Sequence, residues 1–472
     1  MIRTFIKNST IYFTSNAINK ILGLAFFAYV ARVLTIEEMG AYGLLNVAVT
    51  ILALLMTLEV QSGFSRYYLD CPEQDRKTFE LSTINVLLLV NVALGALFFL
   101  LHPLMASLLI PIDLPLYLVL LALPCGMGVS AVCLAKLRLE NRAFSVAVVS
   151  VLQLLVHIGG TLLLLWLGAD KLLAIFVGVF VGNLFVMLWY GVDIRPWRPI
   201  ADLSSIRQSI VFSALLVPAN IGIFLTLLTG KYVVAKLLDL EAVGIYEVCS
   251  RVAIIIRTIM MPILQATRPI IYEQYQQESF PPRFYKLLHI HMLILLGLVI
   301  AFSLFNREIV YIIVGTQYVC HAHYLYPFIM AAVLLHMTGF FVFNVHLAQK
   351  TQYVSLIEII TGVLNAGATF LLIQRFAFLG AVIAILVVYA SRYLMYLCFA
   401  NGLYPRLRIS QWMMTGYLSA CALLLAAHFL LRDLPMWGRG LLGMLEGGLA
   451  LLGFMKLHKV PAKQVLSLLR RR

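Results

Sequence analysis

Apolar stretches of about 20 residues recur from one end of the chain to the other, separated by short polar turns. Each is long enough to cross a hydrocarbon layer as a helix, and the short alternation of barrel strands is absent. Inside lipid the backbone must satisfy its own hydrogen bonds, so the pattern predicts an all-α polytopic membrane protein. The predicted spans are 9–33, 40–65, 79–102, 112–135, 143–168, 171–192, 207–235, 241–267, 284–304, 324–347, 352–373, 377–400, 410–431 and 437–455, about 14 helices. The first is too long for a signal-peptide core and lacks a small-residue cleavage site, so it is read as retained. The longest external loop, about 305–323, has no room for an independent domain, which leaves function to the helices and the space between them.

A twelve-residue phrase occurs twice, 204 positions apart. Ala31-Arg-Val-Leu-Thr-Ile-Glu-Glu-Met-Gly-Ala-Tyr42 returns as Ala235-Lys-Leu-Leu-Asp-Leu-Glu-Ala-Val-Gly-Ile-Tyr246, with Glu37/Glu241, Gly40/Gly244 and Tyr42/Tyr246 among the identities. Each copy joins one span to the next, with six spans between them, so the two halves run the same way through the membrane. That is the pattern of parallel transporter repeats. It predicts a first six-helix lobe (1–200), a second (201–405) and a final helix pair with a basic tail (406–472), with Arg195–Pro199 as linker. Locally the phrase is a structural corner: Thr35 with Glu38 forms a capping box, and Asp239 caps the later copy while Glu241 sits in its positive first turn.

Hydrophobic residues make up 62% of the chain and charged residues 12%, with a mean hydropathy of +0.96, which excludes a soluble domain. The net charge of +14 is distributed for orientation rather than for nucleic acid. With the N-terminus inside, cytoplasmic segments hold about 23 of the 35 Lys and Arg, external segments about seven and the membrane about five. The internal clusters are Arg76-Lys77, Lys136/Arg138/Arg142, Arg195/Arg198/Arg207, Arg283/Lys286, Arg406/Arg408 and the tail from Lys456 to Arg472, which also suits anionic membrane lipids. Both ends are therefore expected in the cytoplasm. The seven cysteines are scattered without a CxxC and define no disulfide framework.

The costly charges are those inside spans. Lys20, Lys231, Arg251, Arg257 and Arg392 are the cations; Glu59, Glu247, Glu358 and Glu446 are the acids. A charge at the bilayer centre costs about 3 kcal/mol even on a lenient scale, so several of these must face protein or water. Glu247 and Arg251 are four apart and read as an intrahelical pair. Lys20, Lys231 and Arg257 then lack evident acidic partners, and if the first, seventh and eighth spans line one gap they make it electropositive, suited to a phosphate or diphosphate. Snorkelling competes for Lys231 and, with local pairing, for Arg392. Glu59 divides between a local pair near Gln61 and Arg66 and a role in the cavity. Pro218 with Asn220 is a kink candidate carrying a polar group.

His289/His291 and His321/His323 sit at i,i+2, on nearly opposite helix faces, so no metal site is expected. Gly178 and Gly182 read as close helix packing. The chain contains no phosphate loop, nucleotide fingerprint or nucleophile elbow, so neither a cofactor nor catalysis is expected.

Lys20-Ile-Leu-Gly-Leu24, Ala31–Leu34 and Glu37–Tyr42 resemble the opening of the Wzx-type bacterial polysaccharide flippases of the multidrug/oligosaccharidyl-lipid/polysaccharide (MOP) exporter superfamily. Ser62–Tyr68, Leu137–Ala143, Val243–Tyr246 and Asn365 with Leu371–Arg375 and Leu379–Ala381 extend the likeness along nearly the whole chain. The resemblance implies a V-shaped two-lobe flippase in the bacterial inner membrane, passing oligosaccharides on undecaprenyl diphosphate for O-antigen (lipopolysaccharide), capsule or exopolysaccharide. Lys20, Lys231, Arg251 and Arg257 are then the candidates for gripping the substrate, with Glu247, Glu59 and Asn220 beside them. A polysaccharide polymerase and a chain-length regulator are the partners such a flippase implies. Two departures stand out: Gly230-Lys231 replaces the acidic–basic pair of many relatives, which bears on H+ or Na+ coupling, and Gln374 replaces the usual turn proline. The competing readings are a cation-coupled small-molecule exporter using Glu59, Glu247 and Glu358, and a membrane glycan polymerase or ligase, which would need a large external loop.

Overall fold

The computed structural model describes the backbone of residues 2–103, 112–193, 202–274, 277, 280–348, 350, 352–403 and 409–458, with side chains for these except 2–9, 192–193, 205, 215–216, 218–219, 221–228, 266, 268–270, 272–274, 346 and 455–458. The predicted linker at 195–199, the Arg406/Arg408 cluster, the basic tail and the Pro218 side chain lie outside that set.

The described chain is α-helical: α1 (Ile2–Val33), α2 (Ile36–Thr57), α3 (Val60–Tyr67), α4 (Arg76–Leu100), α5 (Leu114–Leu139), α6 (Ala143–Trp166), α7 (Lys171–Asp193), α8 (Leu203–Leu237), α9 (Leu240–Gln274), α10 (Phe280–Leu304), α11 (Asn306–Val314), a 3-10 segment (Thr316–Tyr324), α12 (Leu325–Leu347), α13 (Gln352–Leu403), α14 (Gln411–Leu430) and α15 (Met436–His458). Among the described residues nine helices are long and apolar enough to cross a membrane. It is an all-α polytopic membrane protein. By compactness the chain divides into Met1–Tyr232 and Val233–Arg472, a different partition from the one the repeats suggest.

In the first unit α5 is central, packing against α2, α3, α4 and α7, while α6 lies against α1 and α7. A Cβ on Gly178 would sit 2.8 Å from the His157 carbonyl oxygen, and one on Gly182 2.8 Å from that of Gln153, so only glycine lets α6 and α7 approach as they do. The predicted span 40–65 is not one helix. Leu58 and Glu59 both take left-handed backbone angles (φ 48° and 55°), ending α2 and starting α3. A Leu-Glu pair is an unusual place for such a break.

In the second unit α12 is central, packed against α9, α10, α13 and α14. The spans predicted at 352–373 and 377–400 are the two arms of α13, which bends at Ala377 (φ 49°, ψ −132°). A Cβ on Gly380 would lie 2.6 Å from the Ile373 nitrogen, so this glycine permits the tight turn where the family's proline is missing. The helix pair α14–α15 docks on α10 and α11. Ser303 Oγ lies 2.6 Å from His428 Nδ1, whose Nε2 lies 2.9 Å from Glu446, and Arg439 donates to the Leu304 carbonyl (2.7 Å) and to Glu308 (2.5 and 3.0 Å). Ser303 is fully buried and also hydrogen-bonds the Val299 carbonyl, so this Ser-His-Glu row is a clasp between helices and offers no accessible nucleophile.

Both corners form as expected. Thr35 and Glu38 exchange the two hydrogen bonds of a capping box (3.1 and 2.7 Å), and Asp239 accepts from the Ala242 nitrogen at 2.7 Å. Glu37 and Glu241 are exposed, Gly40 and Gly244 are buried, Tyr42 packs on Phe176, and Tyr246 meets Phe328 edge-on. Lys171 bridges to Glu38 at 2.9 Å, tying the start of α7 to the first corner.

Candidate functional site

Two of the polar clusters among the apolar helices, one in each unit, contain the intraspan charges singled out in the sequence. In the first, the helix break turns Glu59 toward α8. Its Oε1 accepts from Asn220 Nδ2 (3.1 Å), and its Oε2 accepts from Gln61 Nε2 (2.8 Å) and Ser62 Oγ (3.2 Å). Next to it Gly63 accepts no side chain: its nitrogen donates to Ser213 Oγ at 3.0 Å, and a Cβ would fall 2.7 Å from Ser209 Oγ. The predicted neighbour Arg66 bridges Asp70 instead (2.5 Å), so Glu59 is surrounded by neutral donors and has no cationic partner among the described residues. Two sequence candidates, Glu59 and Asn220, thus meet across 161 positions.

Lys20 is exposed on α1 with no ion-pair partner among the described residues. Lys231 is half-buried near the end of α8 and engaged with a neighbouring group.

In the second unit Glu247 is fully buried and bridged to Arg251, as the i,i+4 spacing predicts. Arg257 is not isolated either. It lies within electrostatic reach of Arg392, Tyr389 and Glu358. Arg392 Nη2 bridges Glu358 Oε1 at 2.5 Å, and the Tyr396 hydroxyl donates to the same oxygen at 3.1 Å. The bridge joins the two arms of α13, so the arms must fold back on each other. His336, 1% exposed, interacts electrostatically with Arg257 and His291, and the Phe340 ring packs edge-on against both imidazoles.

The charge balance of this cluster is two guanidiniums to one carboxylate. Its hydrogen bonding is also incomplete: Arg392 Nε and both ring nitrogens of His336 have no hydrogen-bond partner among the described residues. Buried polar groups are rarely left unmet, so such a cluster is built for water or a polar ligand, and its net charge favours an anion. Sequence reasoning missed the Arg392–Glu358 pair and His336. One signal was available: Glu358 and Arg392 each stand 17 positions from Arg375, at the expected hairpin turn.

A two-unit helical membrane protein with polar clusters inside its helix packing has the build of a transporter. The sequence profile of the polysaccharide biosynthesis protein family matches residues 5–274, and the chain belongs to that family. Its fold matches a lipid II flippase, MurJ, in an inward closed conformation (TM-score 0.68, 14% identity, covering 95% of this chain and 98% of that one). It also matches an inward-facing multidrug resistance MATE transporter of the MOP superfamily (0.61, 16%, 82% and 95%) and a MOP superfamily transporter from Pyrococcus furiosus described as having a binding pocket of reversed polarity (0.57, 15%, 85% and 96%). No curated protein matches the chain significantly.

Proposed function

We propose that the protein flips undecaprenyl-diphosphate-linked oligosaccharide repeat units across the bacterial inner membrane, by alternating access of a cationic cavity, for assembly of O-antigen, capsule or exopolysaccharide. The observation that carries this reading is the pair Arg257 and Arg392 set against the single carboxylate of Glu358, beside imidazole nitrogens short of partners. A diphosphate fits the bidentate geometry of guanidinium better than a neutral drug does. Lys20 and Lys231 in the first unit and Arg251 in the second are proposed as further substrate-binding cations. Membership of a polysaccharide biosynthesis family supports the glycan end of the substrate.

Depleting the protein should strand carrier-linked repeat units on the inner leaflet, and the purified chain in proteoliposomes should restore their passage. Normal arrival of repeat units at the outer face in depleted cells sinks the proposal. A second reading, a cation-coupled exporter, is favoured by one observation only. Glu247 and Glu358 are held by arginines, so among the three proposed coupling acids Glu59 alone, with its neutral donors, is free to take a proton or Na+. Drug efflux from vesicles, insensitive to neutralising Arg257, would select it.

A further inference from the structure

Of about seven Lys and Arg that the charge pattern assigns to the external face, three gather at one end of the second unit: Arg307, Arg432 and Arg439. Arg439 is buried and committed to Glu308 and the Leu304 carbonyl. The other two share one aspartate, Asp433, at 3.3 and 3.8 Å. That carboxylate is 75% exposed, so both bridges are solvent-screened and weak. The Arg432 guanidinium rests 4.8 Å from the Phe429 ring centroid, which holds its plane in place.

Between these arginines opens a cavity of about 570 Å³, lined by Asn306, Arg307, Val319, Cys320, His323 and Arg432. None of the lining residues is acidic. The wall is fixed from behind: Asn306 accepts from the Arg307 nitrogen (2.8 Å) and donates to the Ala322 carbonyl (3.2 Å), while His323 Nδ1 donates to the Cys320 carbonyl (3.0 Å), leaving Nε2 unspent.

We propose that this cavity binds a phosphate group presented at the external surface of the membrane, through the guanidiniums of Arg307 and Arg432. Paired guanidinium forks match phosphate oxygens bidentately, and a basic pocket between membrane helices can hold a phosphate headgroup. The same chemistry is offered by an anionic lipid and by a phosphorylated sugar. The site lies within one unit and stands apart from the cluster at Arg257, so its fate does not depend on the flippase reading.

Cys320 is a free, exposed thiol in the cavity wall and serves as the reporter. The full chain in neutral detergent is alkylated with N-ethylmaleimide, and each cysteine is followed by peptide mass spectrometry, with exposed Cys398 as internal reference. Glucose 1-phosphate and dioctanoyl phosphatidylglycerol are the two probes; glucose and dioctanoylglycerol are their phosphate-free counterparts. Cys320 should react several-fold more slowly with a phosphate probe while Cys398 is unchanged. Protection by only the lipid or only the sugar phosphate supports the site and identifies its source. Protection should vanish in R307Q/R432Q and strengthen in D433N, which frees both guanidiniums without removing either. No protection by either phosphate probe, equal protection by the phosphate-free compounds, or undiminished protection in R307Q/R432Q overturns the proposal.

Discussion

Arg392 and Glu358 stand 34 positions apart in sequence and 2.5 Å apart in space, joined across the bend of α13. Both are largely buried, so each charge depends on the other for most of its compensation. Removing one partner from such a pair costs about 3–5 kcal/mol, because it strands the survivor in a low-dielectric interior. R392Q and E358Q are each expected to lower the unfolding midpoint in detergent, and the double variant to lose less than the two single losses combined. A strictly additive double variant would mean that the pair does not act as a unit.

Glu59 makes the opposite prediction. Its hydrogen bonds come from Asn220, Gln61 and Ser62, all neutral; in E59Q the one remaining oxygen can still accept from Gln61 and Ser62, and the new NH2 is met by Asn220 once that amide flips to present Oδ1. Stability should change by less than about 1 kcal/mol. If this carboxylate takes the coupling ion, transport in proteoliposomes should lose its response to an imposed H+ or Na+ gradient while downhill movement persists. An undiminished gradient response in E59Q removes this residue from the coupling path.

How far the chain could be read beforehand follows from the range of each interaction. The Thr35–Glu38 capping box, the Asp239 cap, the Glu247–Arg251 pair and the glycines of α7 depend on residues three or four apart, so local rules reach them. The predicted spans overlap helices for the same reason, several overrunning a helix end by one or two residues, and Leu58 and Glu59 break the span 40–65. That break has neither glycine nor proline to announce it. Glu59–Asn220 and Arg392–Glu358 needed the fold, because helix periodicity says which face a charge occupies but not which helix lies opposite. Arg257 looked unpartnered only because Glu358 is a hundred residues away.

At Gly63, α3 lies directly against Ser209 and Ser213 of α8. An added methyl would meet the Ser209 carbonyl and hydroxyl and the Ser213 hydroxyl, two of them belonging to helix backbone or to a serine already bonded to the Gly63 nitrogen. G63A should therefore destabilise by about 1–3 kcal/mol. It should also displace Glu59, four residues earlier, so the variant is expected to impair transport more than its loss of stability explains. Thermal unfolding and proteoliposome flipping, compared with an equally destabilised lipid-facing variant, separate the two effects.

The repeated corners offer a test of equivalence. Thr35 and Asp239 stand at matching positions of the two phrases, and each satisfies an otherwise orphan N–H of the following helix. T35A and D239A are each expected to cost about 1 kcal/mol. T35A leaves the bond from the residue-35 nitrogen to Glu38 and the Lys171 bridge in place, so it should cost no more than D239A, which also removes a negative charge from the positive end of α9. A clearly larger loss at position 35 would mean that the Glu38 contacts depend on the Thr35 hydroxyl.

Glu308 links the docking of α15 to pH. Burial alone would raise its carboxyl, but the hydrogen bonds and charge of Arg439, with the charge of Arg307, hold it below its ordinary value of 4.5. A carboxyl depressed in the folded state stabilises fully above its unfolded value and loses that contribution as pH falls through the folded one. The grip on α15 should therefore be unchanged at neutral pH and weaken only below about pH 4.5. E308Q removes the charge at every pH, so it should cost about 1.5–3 kcal/mol at neutrality, the usual worth of a hydrogen bond to a charged group. Melting temperatures of the purified chain, taken from roughly pH 6 down to pH 3, should fall more steeply for the wild type than for E308Q. Parallel curves would show that Glu308 titrates alike in the folded and unfolded chain and so gains nothing from Arg439.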